Sequence, residues 1–290
     1  MMKFGTYYAY WEREWDADYV KYCEKVAKLG FDVLEIAMGG LVEKSPQEMK
    51  DIKQAAADNG IRLTGGIGLP AVYNRTSSDP AVRQRGYDYI LRIFEAMDKT
   101  DVRKIGGNYY SHWPVDYTQP VDKAKEWDLA VKGIQEISGP AADYGITLMI
   151  EILNRFEHFL LNDAKEGVAF VKEVNKPNVK VMLDSFHMNI EEDNIAEAIR
   201  YTGDYLGHFH VGENNRKVPG KGSMPWEDMG KALRDIGYEG DVVMEPFVME
   251  GGQVGSDIKV WRDLSSHADE AKLDQDIAES LVFLKKKFLG

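Results

Sequence analysis

The chain carries a single cysteine, Cys23, which excludes an internal disulfide and a thiolate-rich metal site and suits a reducing cytoplasm. Positive charge is short: 36 Lys and Arg face 48 Asp and Glu, a formal net charge of -12. Such a chain repels phosphate backbones and anionic lipid, so neither nucleic acid nor a membrane is an expected partner. No apolar run approaches the roughly 18 residues of a membrane span, because Glu151 interrupts even the strongest. Met1–Gly5 leads into strand-like sequence without a signal-peptide pattern, no low-complexity linker divides the chain, and residues 1–290 read as one domain. What the chain does have is 44% hydrophobic residues over 290 positions, enough for one large core.

Eight β-rich runs alternate with amphipathic helical patterns. The runs are Phe4–Tyr10, Val33–Met38, Ile61–Ile67, Val102–Tyr109, Ile146–Leu153, Val179–Phe186, His208–Gly212 and Asp241–Phe247. Between them, Tyr19, Cys23, Val26 and Ala27 share a helical face that stops at Gly30, and Met229, Leu233 and Ile236 stack before Gly237. Ser45-Pro46 followed by Glu48 reads as a capping box with proline in the first turn. Leu273, Ile277, Leu281, Leu284 and Phe288 mark a final helix. Alternating strands and helices imply a parallel sheet, and eight such units predict a single closed (β/α)8 TIM barrel of the α/β class. A doubly wound open sheet is the runner-up, disfavoured because no Gly-x-Gly-x-x-Gly follows the first strand.

In a barrel the C-terminal strand ends converge on one mouth, so unexpected polar residues there are candidates for chemistry. Expected strands five to eight deliver Glu151, Asp184, His210 and Glu245 to that rim, with His208 and His210 on one side of their strand and Phe209 on the other. Singly each signal is weak, since a strand-end acid is more often a cap and a lone histidine more often a satisfied polar residue. Together the acids would repel one another, and a divalent cation is the economical explanation. Three carboxylates and one imidazole favour Mn2+, Mg2+ or Co2+ over structural zinc and leave the loaded site with a formal charge of about -1. Glu157, His187 and Arg216 stand six, three and six residues beyond Glu151, Asp184 and His210, where they could hold the oxygens of a polyol. The plainer reading of Glu157 and Arg216, a rim ion pair, would be worth little.

The segments Glu151–Glu157, Met182–Asp193, Gly207–Gly222, Val242–Phe247 and Val254–Leu264 resemble those of the ketose 3-epimerases (D-tagatose, D-psicose or D-allulose, and L-ribulose 3-epimerases) among the xylose-isomerase-like barrels. Tyr7–Trp15 and Ile105–Tyr117 extend the resemblance over nearly the whole chain. It implies an isomerase that reversibly epimerises free ketoses at C3, such as D-fructose/D-psicose, D-tagatose/D-sorbose or L-ribulose/L-xylulose. It further implies one Mn2+ (or Co2+ or Mg2+) and a homodimer or homotetramer. Glu151, Asp184, His210 and Glu245 match the metal ligands, and Glu151 and Glu245 also match the acid/base pair. Glu157, His187 and Arg216 match the residues that hold O1 to O3, Tyr7 and Trp113 match aromatic parts of the pocket, and Gly66 and Asn108 occupy further lining positions. The chain departs from the family pattern at Val211, at Asn214 and at Asn108, where relatives often carry a small residue; these bear on C4 to C6 of the sugar and leave the metal set intact.

C3 epimerisation removes a proton beside the C2 ketone and returns one to the opposite face through a cis-enediolate. Two bases on opposite faces therefore call for two glutamates, with a metal to spread the charge. An aldose–ketose isomerase of the same barrel class is the nearest alternative; such enzymes often use two metals, and no second acidic cluster stands out. A keto-inositol lyase is a further alternative. An endonuclease IV-like phosphodiesterase would need several zinc ligands and a basic path, against 6 histidines and a net charge of -12. Other features take plain readings: Glu191-Glu192-Asp193 as a solvated loop or helix start, Val218–Ser223 as a loop over the mouth, Trp11 and Trp15 as rim packing by default with a share in the substrate pocket as the alternative, and Cys23 as core.

Overall fold

Side chains that alternate along each apolar run build a parallel barrel, and the computed structural model describes all 290 residues of it. The strands are β1 (Lys3–Tyr7), β2 (Val33–Ala37), β3 (Arg62–Gly68), β4 (Lys104–Asn108), β5 (Thr147–Glu151), β6 (Val179–Asp184), β7 (Leu206–Val211) and β8 (Asp241–Met244). They pair in chain order, and β1 closes on β8 with Lys3 opposite Asp241 and Thr6 opposite Met244. Around them run α1 (Tyr19–Lys28), α2 (Met38–Leu41), α3 (Pro46–Asp58), α4 (Pro80–Thr100), α5 (Lys123–Asp143) and α6 (Ala164–Val174). The second half adds α7 (Ser185–Glu191), α8 (Ile195–Thr202), α9 (Trp226–Asp235), α10 (Gly252–Ile258) and α11 (Glu270–Leu289). No helix is long and apolar enough to cross a membrane.

The expected (β/α)8 barrel is what forms, with most strands shorter than the apolar runs suggest and β7 starting earlier, at Leu206. The first ends at Tyr7, and Tyr8–Trp11 turns into a 3-10 helix; the fifth ends at Glu151 and the eighth at Met244. Hydrophobicity continues past each ladder because Tyr8, Tyr10, Ile152, Leu153 and Phe247 are buried in the packing of the loops above the barrel. Helix starts follow their caps. The Ser45 hydroxyl accepts from the Glu48 N–H while the Glu48 carboxylate accepts from the Ser45 N–H, with Pro46 in the first turn. On α1 the Asp18 side chain caps the Lys21 N–H, Tyr19, Tyr22, Cys23 and Val26 are buried, and Gly30 at φ +89° carries the chain out.

Most of the core lies between barrel and helices, where Phe209 faces outward to Phe288 at 6.5 Å. The barrel interior is polar at both ends. At the N-terminal end the buried Asp241 accepts from Lys104 Nζ at 2.6 Å and Arg62 Nη1 at 2.7 Å. Toward the other end the wall divides. On β3 and β4 it is glycine approached closely by other side chains: a Cβ at Gly106 would stand 2.4 Å from Met182 Sδ, and one at Gly66 3.3 Å from Glu35 Oε1. On β5 to β8 it carries most of the acids and imidazoles.

Candidate active site and metal centre

Glu151 and Asp184 are the last residues of β5 and β6, His210 is the last but one of β7, and Glu245 follows β8 directly. His210 Nδ1 lies 3.5 Å from Glu245 Oε1 and 3.9 Å from Asp184 Oδ2. A small octahedral ion with bonds of about 2.1 Å sets its ligand atoms about 3.0 Å apart at adjacent positions and about 4.2 Å apart at opposite ones, so these spacings fit. Asp184 Oδ2 and His210 Nδ1 are both buried and neither has a hydrogen-bond partner. An orphaned buried acceptor is costly unless something satisfies it, and two such atoms within reach of each other match an oxygen- and nitrogen-ligated divalent cation. Glu151, Asp184 and His187 form a second close group, and Glu35, His208 and His210 a third.

Electrostatics divide the acids. Burial, and after it the charge of Glu245, pushes the Glu151 carboxyl well above the usual carboxylate range. Burial acts on Asp184 in the same sense, but the neighbouring His187, Arg216 and His210 side chains outweigh it and hold Asp184 low. One Asp184 oxygen also caps α7, accepting from the Phe186 N–H at 2.6 Å. For His210 burial works against the cation, yet the neighbouring Glu35 and Glu245 carboxylates raise it well above the ordinary imidazole value.

The residues beyond the strand ends converge as well. His187 Nδ1 accepts from the Asn154 side-chain amide at 2.8 Å, which leaves Nε2 as the N–H, 4.0 Å from Glu151 Oε1. That N–H is therefore aimed at the space beside Glu151. Arg216, at φ +64°, lays its guanidinium 3.7 Å from the Phe186 ring centroid and sends Nη2 to Glu157 at 3.2 Å and Nη1 to Glu245 at 3.3 Å. Its loop is pinned by the fully buried Glu213, which accepts from the Gly220 N–H at 2.6 Å and Trp226 Nε1 at 2.9 Å. The Glu157–Arg216 pair is thus inside the mouth, where desolvation strengthens it, and not on the rim.

A cavity of about 510 Å³ opens over the centre. Tyr7, Gly66, Asn108, Trp113, Glu151, Glu157, His187, His210, Arg216 and Glu245 all face it, and Asp184 alone of the candidate residues lies behind the wall. Asn108 is buried with both ends of its amide unpartnered. Two expectations need correction. Trp15 faces the cavity, with its indole N–H on Asp257 at 2.8 Å, whereas Trp11 is buried and bonded to Asp274. The Val218–Ser223 segment does not cover the mouth; it folds back to α11, where the Ser280 hydroxyl donates to the Pro219 carbonyl. A third correction lies nearby: Glu191 is no solvated loop acid, because Arg155 grips both its oxygens at 2.7 to 3.1 Å, and Glu192 accepts from the Ala164 N–H.

Sequence reasoning missed Glu35 and Asn154. Glu35, 1% exposed in the middle of β2, was detectable as an acid inside the otherwise apolar Val33–Ala37 run. Asn154 had no signal of its own, since its partner His187 is 33 residues away.

A family model described as "Xylose isomerase-like TIM barrel" matches residues 23–285. The D-psicose 3-epimerase of Agrobacterium fabrum (strain C58) is 57% identical over 97% of this chain and 98% of its own. That of Ruminiclostridium cellulolyticum is 54% identical over 97% of this chain and 96% of its own. A crystal structure of a D-psicose 3-epimerase in the presence of D-fructose superposes with a TM-score of 0.98 at 56% identity, covering 100% of both chains. With the strand-end acids, the two glutamates and the full-length likeness in place, the chain belongs to the xylose isomerase-like TIM barrels and, within them, to the ketose 3-epimerases, a family of isomerases.

Proposed function

We propose that the protein interconverts the C3 epimers of free ketoses, with D-fructose and D-psicose as its foremost pair and Mn2+ as its ion. The observation that carries the reading is the pair of orphaned buried atoms, Asp184 Oδ2 and His210 Nδ1, set between two glutamates at the mouth of the barrel. The names of the D-psicose 3-epimerases that are 54% and 57% identical support the choice of sugar.

Glu151, Asp184, His210 and Glu245 would hold the ion, which when bound supplies Lewis-acid stabilisation of negative charge on the ketone oxygen. The chain's own groups do the rest. Glu245 removes the C3 proton of one epimer, giving a cis-enediolate, and Glu151 delivers a proton to the opposite face; the reverse reaction exchanges their roles. The His187 N–H donates to O2, and Arg216 and Glu157, 3.2 Å apart, fix the O1 end. Tyr7, Trp113 and Gly66 shape the pocket, and the Asn108 amide offers a donor and an acceptor to hydroxyls beyond C3. The enzyme acts in the cytoplasm as a homodimer or homotetramer, and Phe156 and Trp261, 73% and 70% exposed beside the mouth, support self-association.

A ketose panel incubated with Mn2+ in D2O and followed by NMR tests the reaction. Deuterium should enter at C3 as the epimer forms; exchange at C1 with aldose appearing would mean aldose–ketose isomerisation instead.

A further inference from the structure

Glu35 sits beneath the metal centre with both carboxylate oxygens engaged. Oε1 is 2.6 Å from His210 Nε2; Oε2 accepts from the Thr64 hydroxyl at 2.8 Å and lies 3.0 Å from His208 Nε2. An imidazole that ligates a metal ion is neutral, with one N–H and one lone pair, and a carboxylate against Nε2 demands the N–H there. The lone pair is then confined to Nδ1, the nitrogen that has no partner and faces Asp184 and Glu245. Side chains from β2, β3 and β7 thus form one support running across the barrel. Gly66 leaves it room, since a Cβ there would come within 3.3 Å of Glu35 Oε1.

We propose that Glu35 is a positioning residue for the metal centre: it fixes the tautomer and ring angle of His210, so that Nδ1 is the nitrogen presented to the divalent ion. The inference rests on the proposed function for the existence of the ion. Thr64 is part of the same device, holding the second oxygen so that Glu35 cannot swing away from His210. Outer-shell partners of this kind typically carry about 10- to 100-fold in metal affinity.

The test compares wild type with Glu35→Gln, Glu35→Ala and Thr64→Val, each stripped of metal and titrated with Mn2+ alone by calorimetry. The Co2+ visible absorption spectrum is recorded in parallel, and melting of the metal-free forms reports on folding. Mn2+ affinity should fall about 10-fold in Glu35→Gln, which keeps an acceptor oxygen but loses the charge, and about 100-fold in Glu35→Ala. Thr64→Val should lose less than either and remains informative if a Glu35 variant does not fold. The Co2+ bands should shift in the Glu35 variants. Mn2+ affinity within twofold of wild type together with an unchanged Co2+ spectrum would overturn the proposal, even if melting fell, because that pattern belongs to a structural role alone. Two Mn2+ per wild-type chain falling to one in Glu35→Gln would also overturn it, making Glu35, His208 and His210 an ion site of their own. Wild type that binds no Mn2+ would remove the proposed function along with this inference; wild type that binds and epimerises while the variants match it would remove this inference alone.

Discussion

Withdrawing the metal should soften the second half of the barrel by a calculable amount. The four proposed ligands come from β5, β6, β7 and the residue after β8, so the unfolded chain could not gather them, and an ion held by all four would bind only the folded state. At a free Mn2+ concentration of 100 times Kd the linkage is worth about 2.7 kcal/mol. Melting temperature moves by about 2 °C per kcal/mol in large single domains, so Mn2+ should raise Tm by about 5 °C over the chelated protein. The gain should track the logarithm of free Mn2+ and shrink sharply in Glu245→Gln. Differential scanning calorimetry on protein shown to be metal-free reads it directly. Hydrogen exchange should place the protection at the C-terminal ends of β5 to β8, leaving β2 and β3 little changed. Identical melting with and without Mn2+, or protection spread evenly over the barrel, would refute the argument that these four side chains share an ion.

Glu151→Gln and Glu245→Gln should each lower kcat by about 100-fold or more at saturating Mn2+ while the circular dichroism spectrum stays that of wild type; turnover within tenfold of wild type in either would remove the two-base scheme. Because the Glu151 carboxyl is raised by burial and by Glu245, Mn2+ binding must expel its proton, so apparent affinity should rise with pH, and calorimetry in two buffers of different ionisation enthalpy should register proton release. Asn108→Ala should lower kcat/KM up to about tenfold, the worth of one hydrogen bond, for ketoses whose distal hydroxyls reach the amide and little for those whose hydroxyls do not, as kinetics on a hexulose and pentulose panel would reveal. His158 is held neutral by burial, its pKa lowered from 6.5 to about 3. Between those values the unfolded chain takes up a proton that the folded chain refuses, so stability falls on acidification by up to about 1.4 kcal/mol per pH unit. His158→Gln should flatten that part of the urea-measured pH profile.

Which parts of this were readable in the sequence depends on whether the determining contact is local. The eight strands are local objects, and their hydrophobic periodicity located every one; their ends were less legible, overrun at Tyr8 to Tyr10, at Ile152 and Leu153 and at Phe247, where loop residues are as buried as strand residues, and begun two residues late at β7. The four strand-end residues were legible because the barrel converts position along a strand into position at the mouth, so topology supplied the missing third dimension. Contacts between distant segments had no such shortcut. The Arg155–Glu191 pair spans 36 residues, and nothing in Glu191-Glu192-Asp193 marks it as anything but a surface run. The turn of Val218–Ser223 toward α11 likewise depends on Glu213 and Ser280, which no spacing connects.

Glu35 illustrates the boundary between the two cases. The strand ends mark Glu151, Asp184, His210 and Glu245, whereas Glu35 stands in the middle of its strand, against His210. A charged residue in the middle of a short apolar strand has no favourable explanation from the strand itself, because a lone buried carboxylate is strongly disfavoured. Its presence therefore demands partners from other strands, and Thr64, His208 and His210 are those partners. The same logic read forward assigns a division of labour to the barrel. In the proposed centre β5 to β8 would present the donor atoms, β2 and β3 would hold one of them, His210, from below, and the glycines of β3 and β4 would let neighbouring groups approach the cavity wall closely. A side chain at Gly66 should accordingly disturb the pocket and the Glu35 support together, since its Cβ would stand 3.3 Å from Glu35 and 3.7 Å from the Tyr7 ring. Gly66→Ala should then raise KM and weaken Mn2+ binding in the same variant, and a rise in KM with Mn2+ affinity unchanged would show that the two functions of that wall are separable.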